Sequence, residues 1–176
     1  MDDLEDIGLW VFGYGSIIWR PDIPYKIAYW ATVDNWSRRF WQGSHDHRGT
    51  VESPGRVLTL VPFEDARCEG RVFGIAKADV AQVLKDLDYR EKNGYERQQL
   101  NVSTNELGTL DALTYIAPST NHAWLGDASD EAIANQIAQS IGPSGSNRDY
   151  VLGLHKALLV EGIQDDHIQA IAKLLI

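Results

Sequence analysis

Leu9-Trp10-Val11-Phe12-Gly13-Tyr14-Gly15-Ser16 begins with four consecutive large apolar residues and ends on two glycines one residue apart. A short apolar run bounded by turn signals is the pattern of a buried strand, so the stretch predicts a strand feeding a glycine-bearing loop. Glycines there accept positive φ and turn successive N–H groups toward one point, an anion or oxyanion nest. The loop lacks the lysine of a Walker motif, and Ile18 stands where a dinucleotide fingerprint has its third glycine, so nucleotide binding is disfavoured. A plain tight turn has the same spacing, and the motif alone does not separate the two readings.

Working outward, Pro21 and Pro24 interrupt regular structure, and residues 27–40 mix β-branched and aromatic residues with polar ones, as in one or two strands. Residues 43–55 carry Ser44, His45, Asp46, His47, Arg48, Gly49 and Pro54, too polar to pack and too long for a hairpin turn, which predicts a functional loop. Residues 56–61 and 70–76 read as strands on either side of an acidic turn at Glu64 and Asp65. Asp79 is placed to cap a helix whose Val80, Val83, Leu84 and Leu87 follow the i, i+3, i+4, i+7 spacing, and Asn93-Gly94 stops it. Residues 95–102 and 112–116 are the next strands, with a turn at Gly108. Ser129, Asn147 and then Asp165 or Asp166 start three helices, the first presenting Ile133, Ile137 and Ile141, the last Ile168, Ile171 and Leu175. Strands fill the first two thirds and helices the last. The expected fold is therefore α+β, a closed or nearly closed sheet with helices packed outside.

Length and composition narrow the function. The 176 residues suit one domain, and 44% hydrophobic with 23% charged residues excludes a disordered or fibrous chain. Sixteen Lys and Arg against 25 Asp and Glu give a net charge of -9, which repels nucleic acid and anionic membranes. Apolar runs fall short of the ~18 residues of a membrane span. Residues 1–6 are acidic where a secretory signal is basic, and the one cysteine, Cys68, allows no internal disulfide; both suggest the cytoplasm. Five of the six tryptophans fall within the first 41 residues, and large aromatics are expected mostly to fill the core.

Three groups are candidates for chemistry. Glu91, in Arg90-Glu91-Lys92 at a helix end, is a candidate general base because the carbonyl end of the helix dipole disfavours a negative charge. An exposed glutamate paired with its basic neighbours has the same spacing. His45-Asp46-His47 offers two metal-ligand types without an obvious third, and a triad of Ser16 or Ser44 with His47 lacks the G-x-S-x-G elbow. Arg38, Arg39, Arg48 and Arg56 concentrate positive charge near the polar loop, suited to a substrate carboxylate or to internal ion pairs.

Taken together and in order, Val11 to Trp19, Ser37 to Ser44, Asp46-His47-Arg48-Gly49, Pro54-Gly55-Arg56-Val57, Leu87-Asp88-Tyr89-Arg90-Glu91 with Gly94-Tyr95, and Gly142-Pro143-Ser144-Gly145 with Asn147 resemble the ChaC family. The resemblance implies a γ-glutamylcyclotransferase-like mixed β-barrel flanked by helices, a single domain over residues 9–176 after an acidic extension at 1–8. It implies cleavage of glutathione to 5-oxoproline and cysteinylglycine with no cofactor and no metal. It places the substrate loop on Val11, Phe12, Gly13, Tyr14, Gly15 and Ser16 and the catalytic carboxylate on Glu91. The arginines are a candidate grip on the substrate's glycine carboxylate, with Arg39 named as a substrate-binding residue, and Tyr150 is a candidate substrate contact that suits packing equally. Ile17, His45, Asn93 and Asp149 depart from the usual family residues. Two other readings keep the residues but change the activity: turnover of other γ-glutamyl amino acids or amines, and a non-catalytic γ-glutamyl-binding module. The acidic start, outside the resemblance, is expected to fray.

Overall fold

The computed structural model describes residues 2–176. Five strands close a barrel in the order β1-β3-β2-β4-β5. They are β1 (Ile7–Gly13), β2 (Ile27–Ser44), β3 (Gly55–Ala76), β4 (Glu96–Thr104) and β5 (Gly108–Ile116). β1 runs antiparallel to β3 and parallel to β5, so the apolar Leu9 to Phe12 stretch is a central strand with neighbours on both sides. The helices are α1 (Asp2–Glu5), α2 (Val80–Arg90), α3 (Asp130–Gln139), α4 (Asn147–Val160) and α5 (Asp166–Leu175). A hairpin of β6 (Ile141–Gly142) and β7 (Gly145–Ser146) separates α3 from α4. The expected α+β barrel with flanking helices is the observed architecture.

The chain forms two compact units, residues up to Ser37 with Val61–Ile116, and Arg38–Leu60 with Ala117–Ile176. In the first, Val83 and Leu87 of α2 are fully buried in one cluster with Val11, Ile17, Phe73, Ile75, Leu113 and Tyr115. Burying each such aliphatic side chain stabilises by roughly 1.5–3 kcal/mol, which fixes the helix on the sheet. In the second, α3, α4 and α5 pack on one another, with Ile133, Ile137, Leu154, Ile168 and Ile171 fully buried.

Several expectations are corrected. β3 passes through Glu64 and Asp65 without a turn: Asp65 takes φ 61°, Asn35 on the neighbouring β2 takes φ 65°, and the Asp65 N–H donates to Asn35 Oδ1 at 3.2 Å. Asx residues tolerate this left-handed conformation, so a local irregularity replaces a reversal. Residues 27–40, expected as one or two strands, form part of the single strand β2. Asp79 stands at the α2 N-cap position without a capping side-chain bond, and Ser146 rather than Asn147 caps α4, its Oγ accepting from Asp149 N at 3.1 Å. Ile141 lies in β6, exposed, beyond the face that α3 presents. None of the tryptophans is fully buried; all six are half-buried. Met1 lies outside the described residues, but the rest of the acidic start is tied down rather than frayed. Asp6 pairs with Lys26 at 3.0 Å, its carbonyl accepts from Lys77 N at 2.9 Å, and Lys77 Nζ donates to Glu5 O at 2.8 Å.

Candidate active site

The path of α2 brings Glu91 to the glycine turn. β3 ends at Ala76 opposite Ile7, the first residue of β1, so α2 starts beside the beginning of that strand. Its 11 residues rise about 16 Å, roughly three quarters of the ~23 Å that the seven residues of β1 span, and the helix ends where Arg90 bonds Ser16 of the glycine turn. Glu91 is the C-cap, its N–H bonded to Leu87 O at 2.9 Å, and the turn that follows closes on the expected Asn93-Gly94, with Gly94 at φ 96°. The Glu91 side chain is only 17% exposed, with Oε1 3.8 Å from Arg90 Nε. Arg90 in turn grips the turn: Nη2 donates to Ser16 Oγ at 2.8 Å, and its two Nη groups reach Arg20 O and Pro21 O at 3.1 Å. One guanidinium thus meets both the Glu91 carboxylate and the hydroxyl of the glycine turn.

The turn differs from the expected nest. Neither Gly13 nor Gly15 has positive φ; Gly15 takes φ −132°, ψ −129°, a ψ outside both the β and αR ranges, and heads a 3₁₀ turn over Ser16–Ile18. Gly13 is required for space, since a Cβ there would stand 2.9 Å from Ile17 Cβ. Tyr14 is buried and its hydroxyl donates to Tyr115 O at 2.6 Å. Val11 and Phe12 are core residues, so of this stretch only their main chain is left to face a ligand.

In the second unit the polar loop is built around glycines from three segments. A Cβ on Gly49 would lie 2.1 Å from Gly55 N, one on Gly142 2.3 Å from His47 O, and one on Gly55 2.5 Å from Arg48 O. Asn147, fully buried, brackets Arg56 by accepting from its N–H at 2.7 Å and donating to its carbonyl at 2.8 Å. The arginines here serve the fold. Arg56 donates to Phe40 O, Gly126 O and Gln136 Oε1; Arg48 donates to Ser146 O and lies over the Tyr150 ring; Arg38 pairs with Asp165 at 2.8 Å. Arg39 Nη1 donates to Arg38 O at 2.8 Å, and Tyr150 packs edge-on against Phe40. Both are residues of this unit, while residues 11–16 and Glu91 belong to the first. His47 Nδ1 lies 3.1 Å from Ser144 Oγ, and His45 stacks on His122. Ser44 Oγ accepts the N–H groups of His47 and Arg48, a main-chain brace rather than a poised nucleophile. Among the described residues no group of three or more His, Cys, Asp or Glu is placed to hold a metal.

Reading the sequence missed the roles of Arg90, Asp88, Arg97 and Tyr115. Tyr115 donates its hydroxyl to Asp88 Oδ1 at 2.6 Å, and Arg97 bonds both oxygens of the same carboxylate. Hydrogen bonds from Arg97 and then Tyr115 hold the Asp88 carboxyl below the usual carboxylate range. Burial, then the bond to Asp88, push the Tyr115 hydroxyl above its ordinary range. Asp88 and Arg90 sit inside a quoted motif, but spacing alone does not say that their partners come from β4, β5 and the turn.

Against known proteins, the sequence profile of the family described as "ChaC-like protein" matches residues 9–175. The chain is 38% identical to "Glutathione-specific gamma-glutamylcyclotransferase 1" of Homo sapiens over 97% of this chain and 79% of that protein. It is 34% identical to "Glutathione-specific gamma-glutamylcyclotransferase" of Saccharomyces cerevisiae over 88% and 87% of the two. Its fold superimposes on the crystal structure of the selenomethionine-labelled γ-glutamyl cyclotransferase specific to glutathione from yeast with a TM-score of 0.89, at 30% identity and 96% coverage of both chains. The chain belongs to the ChaC family.

Proposed function

We propose that this chain is a glutathione-specific γ-glutamylcyclotransferase. The amine of the γ-glutamyl group attacks the γ-carbonyl of the same residue, a five-membered lactam closes, and 5-oxoproline and cysteinylglycine leave. Because attack is intramolecular, holding the substrate folded back supplies much of the effective molarity of an oriented reaction, roughly 7–11 kcal/mol at best. No protein nucleophile, cofactor or metal is required by this route. Glu91 takes the proton from the α-ammonium and returns it to the departing cysteinyl amine, one carboxyl group acting as base and then acid. N–H groups at the head of the Gly15-Ser16 turn stabilise the oxyanion of the tetrahedral intermediate. Tyr14 contributes to the shape of the turn, and Arg39 and Tyr150, of the second unit, are kept as substrate-binding candidates.

The observation that carries this reading is the Arg90 guanidinium, which meets the Glu91 carboxylate on one edge and the Ser16 hydroxyl on another. Residues 9–176 act as one catalytic domain preceded by residues 1–8. The net charge of -9 and the single cysteine favour a small-molecule enzyme of the cytoplasm, with neither nucleic acid nor membrane as partner. No helix among the described residues is long and apolar enough to cross a membrane. The test is incubation of purified protein with glutathione or with γ-glutamylalanine, with products identified by mass. 5-Oxoproline from glutathione alone supports the reading; release from γ-glutamylalanine at an equal or greater rate replaces it with a general γ-glutamyl substrate.

A further inference from the structure

Tyr115 lies on β5 and touches both halves of the proposed site. Its carbonyl oxygen accepts the Tyr14 hydroxyl at 2.6 Å, and its own hydroxyl donates to Asp88 at 2.6 Å. Asp88 is one turn before Glu91 on α2, at the i, i+3 spacing that puts two side chains on neighbouring parts of one helix face. Arg97 of β4 holds the far side of the Asp88 carboxylate. The Tyr115 ring is buried in the cluster that includes Leu87 and Ile17, so its position is set by packing before either hydrogen bond forms.

We propose that Tyr115 is a positioning residue for the cyclisation: it sets the separation between the glycine turn and the Glu91 carboxylate, tying Tyr14 through its carbonyl and the last turn of α2 through Asp88. This rests on the assignment of Glu91 as the proton carrier and deepens it. A general base works only within hydrogen-bond reach of the proton that it removes, and a misplacement of about 1 Å is enough to lower turnover up to ~100-fold. α2 ends at Arg90, and a helix end held only by packing frays over its last turn. The Asp88 pairing with β4 and β5 pins that turn from the sheet side, while Arg90 pins it from the glycine side. The hydroxyl remains a donor throughout the working range because burial holds its proton on.

The experiment compares Tyr115→Phe, Asp88→Asn, Asp88→Ala, Glu91→Gln and the double variant Tyr115→Phe/Glu91→Gln with the wild type, using glutathione and measuring kcat and KM separately. Tyr115→Phe keeps the buried ring and removes only the donor. The expected result is kcat about tenfold lower with KM within about twofold, since the substrate contacts are untouched. Asp88→Ala falls about tenfold, and Asp88→Asn, which still accepts the Tyr115 proton, recovers about threefold of that loss. Because Tyr115 acts through Glu91, the double variant is no slower than Glu91→Gln alone. The proposal is overturned if Tyr115→Phe and Asp88→Ala turn over at the wild-type kcat, or if the Tyr115→Phe loss multiplies with that of Glu91→Gln. Should Tyr115→Phe fail to fold, Asp88→Ala, altered on the half-exposed side of α2, decides the question alone. A Glu91→Gln protein at the wild-type rate removes the site assignment itself, a result distinct from either of these.

Discussion

The two units use arginine in opposite ways. In the second, Arg38, Arg48 and Arg56 are buried and donate to main-chain carbonyls or to Asp165, knitting a loop whose glycines leave no room for a methyl group. In the first, Arg90 sits at a helix end, partly exposed, with the glycine turn on one side and Glu91 on the other. The sequence left these arginines suited to a substrate carboxylate or to internal ion pairs, and Arg38, Arg48 and Arg56 each have a donor bound within the fold. The lesson is one of chain geometry: an arginine next to a buried polar loop satisfies orphan carbonyls, whereas one at the end of an amphipathic helix is free to meet another element.

That contrast can be broken at several points. Gly49→Ala is expected to destabilise by about 3 kcal/mol or more, because its Cβ would overlap main-chain atoms of Gly55 rather than a side chain that can turn away. Thermal unfolding reads it, and a fall below about 1 kcal/mol would show that the loop relaxes. Arg56→Met leaves Phe40 O, Gly126 O and Gln136 without their donor and should lower stability by roughly 2–3 kcal/mol, with the kcat of the folded fraction little changed. A specific loss of glutathione affinity instead would return Arg56 to the substrate.

His167 gives a pH handle on the second unit. Burial, with the charge of Arg39, lowers its pKa from 6.5 to about 4, and its Nε2 accepts the Phe40 N–H at 3.1 Å, which requires the neutral ring. A depressed folded value means that the contribution is fully present above 6.5 and is lost as pH falls toward 4. Between pH 8 and pH 5 the loss should be about 2 kcal/mol, absent in His167→Gln. Unfolding midpoints in urea at the two pH values decide it; equal sensitivity in the variant would assign the acid lability elsewhere. The smallest effect is expected from Arg90→Lys, which keeps the charge but cannot span Ser16 Oγ and the carbonyls of Arg20 and Pro21 together. A kcat about tenfold lower with nearly unchanged thermal stability is anticipated. A stability loss without a kcat loss would make Arg90 like the arginines of the second unit.

Much of this was legible in the sequence where local signals agree with the tertiary outcome. The β1 run, the periodicity of α2 with its Gly94 stop, and the Ser129 and Asp165 caps needed only short-range reasoning. Glu91 stood out by motif, and its helix-end position follows from that periodicity. What stayed hidden depends on distant partners. Asp65 looked like a turn because only Asn35, 30 residues earlier, turns it into an irregularity within a continuous strand. Asn147 looked like a cap because its real partner, the Arg56 main chain, lies 91 residues away. Tyr115, Asp88 and Arg97 carry no pattern that singles them out, and the tryptophans, expected inside, are half-buried because so large a side chain is rarely covered completely.

The central claim, that Glu91 moves the proton while the substrate's own amine does the cutting, is tested most directly by turnover of glutathione by Glu91→Gln beside the wild type, with glutathione binding measured in parallel by calorimetry. The account predicts 5-oxoproline release slower by about 10² to 10⁴ with affinity nearly intact. Release at the wild-type rate by a protein that binds glutathione normally would contradict it.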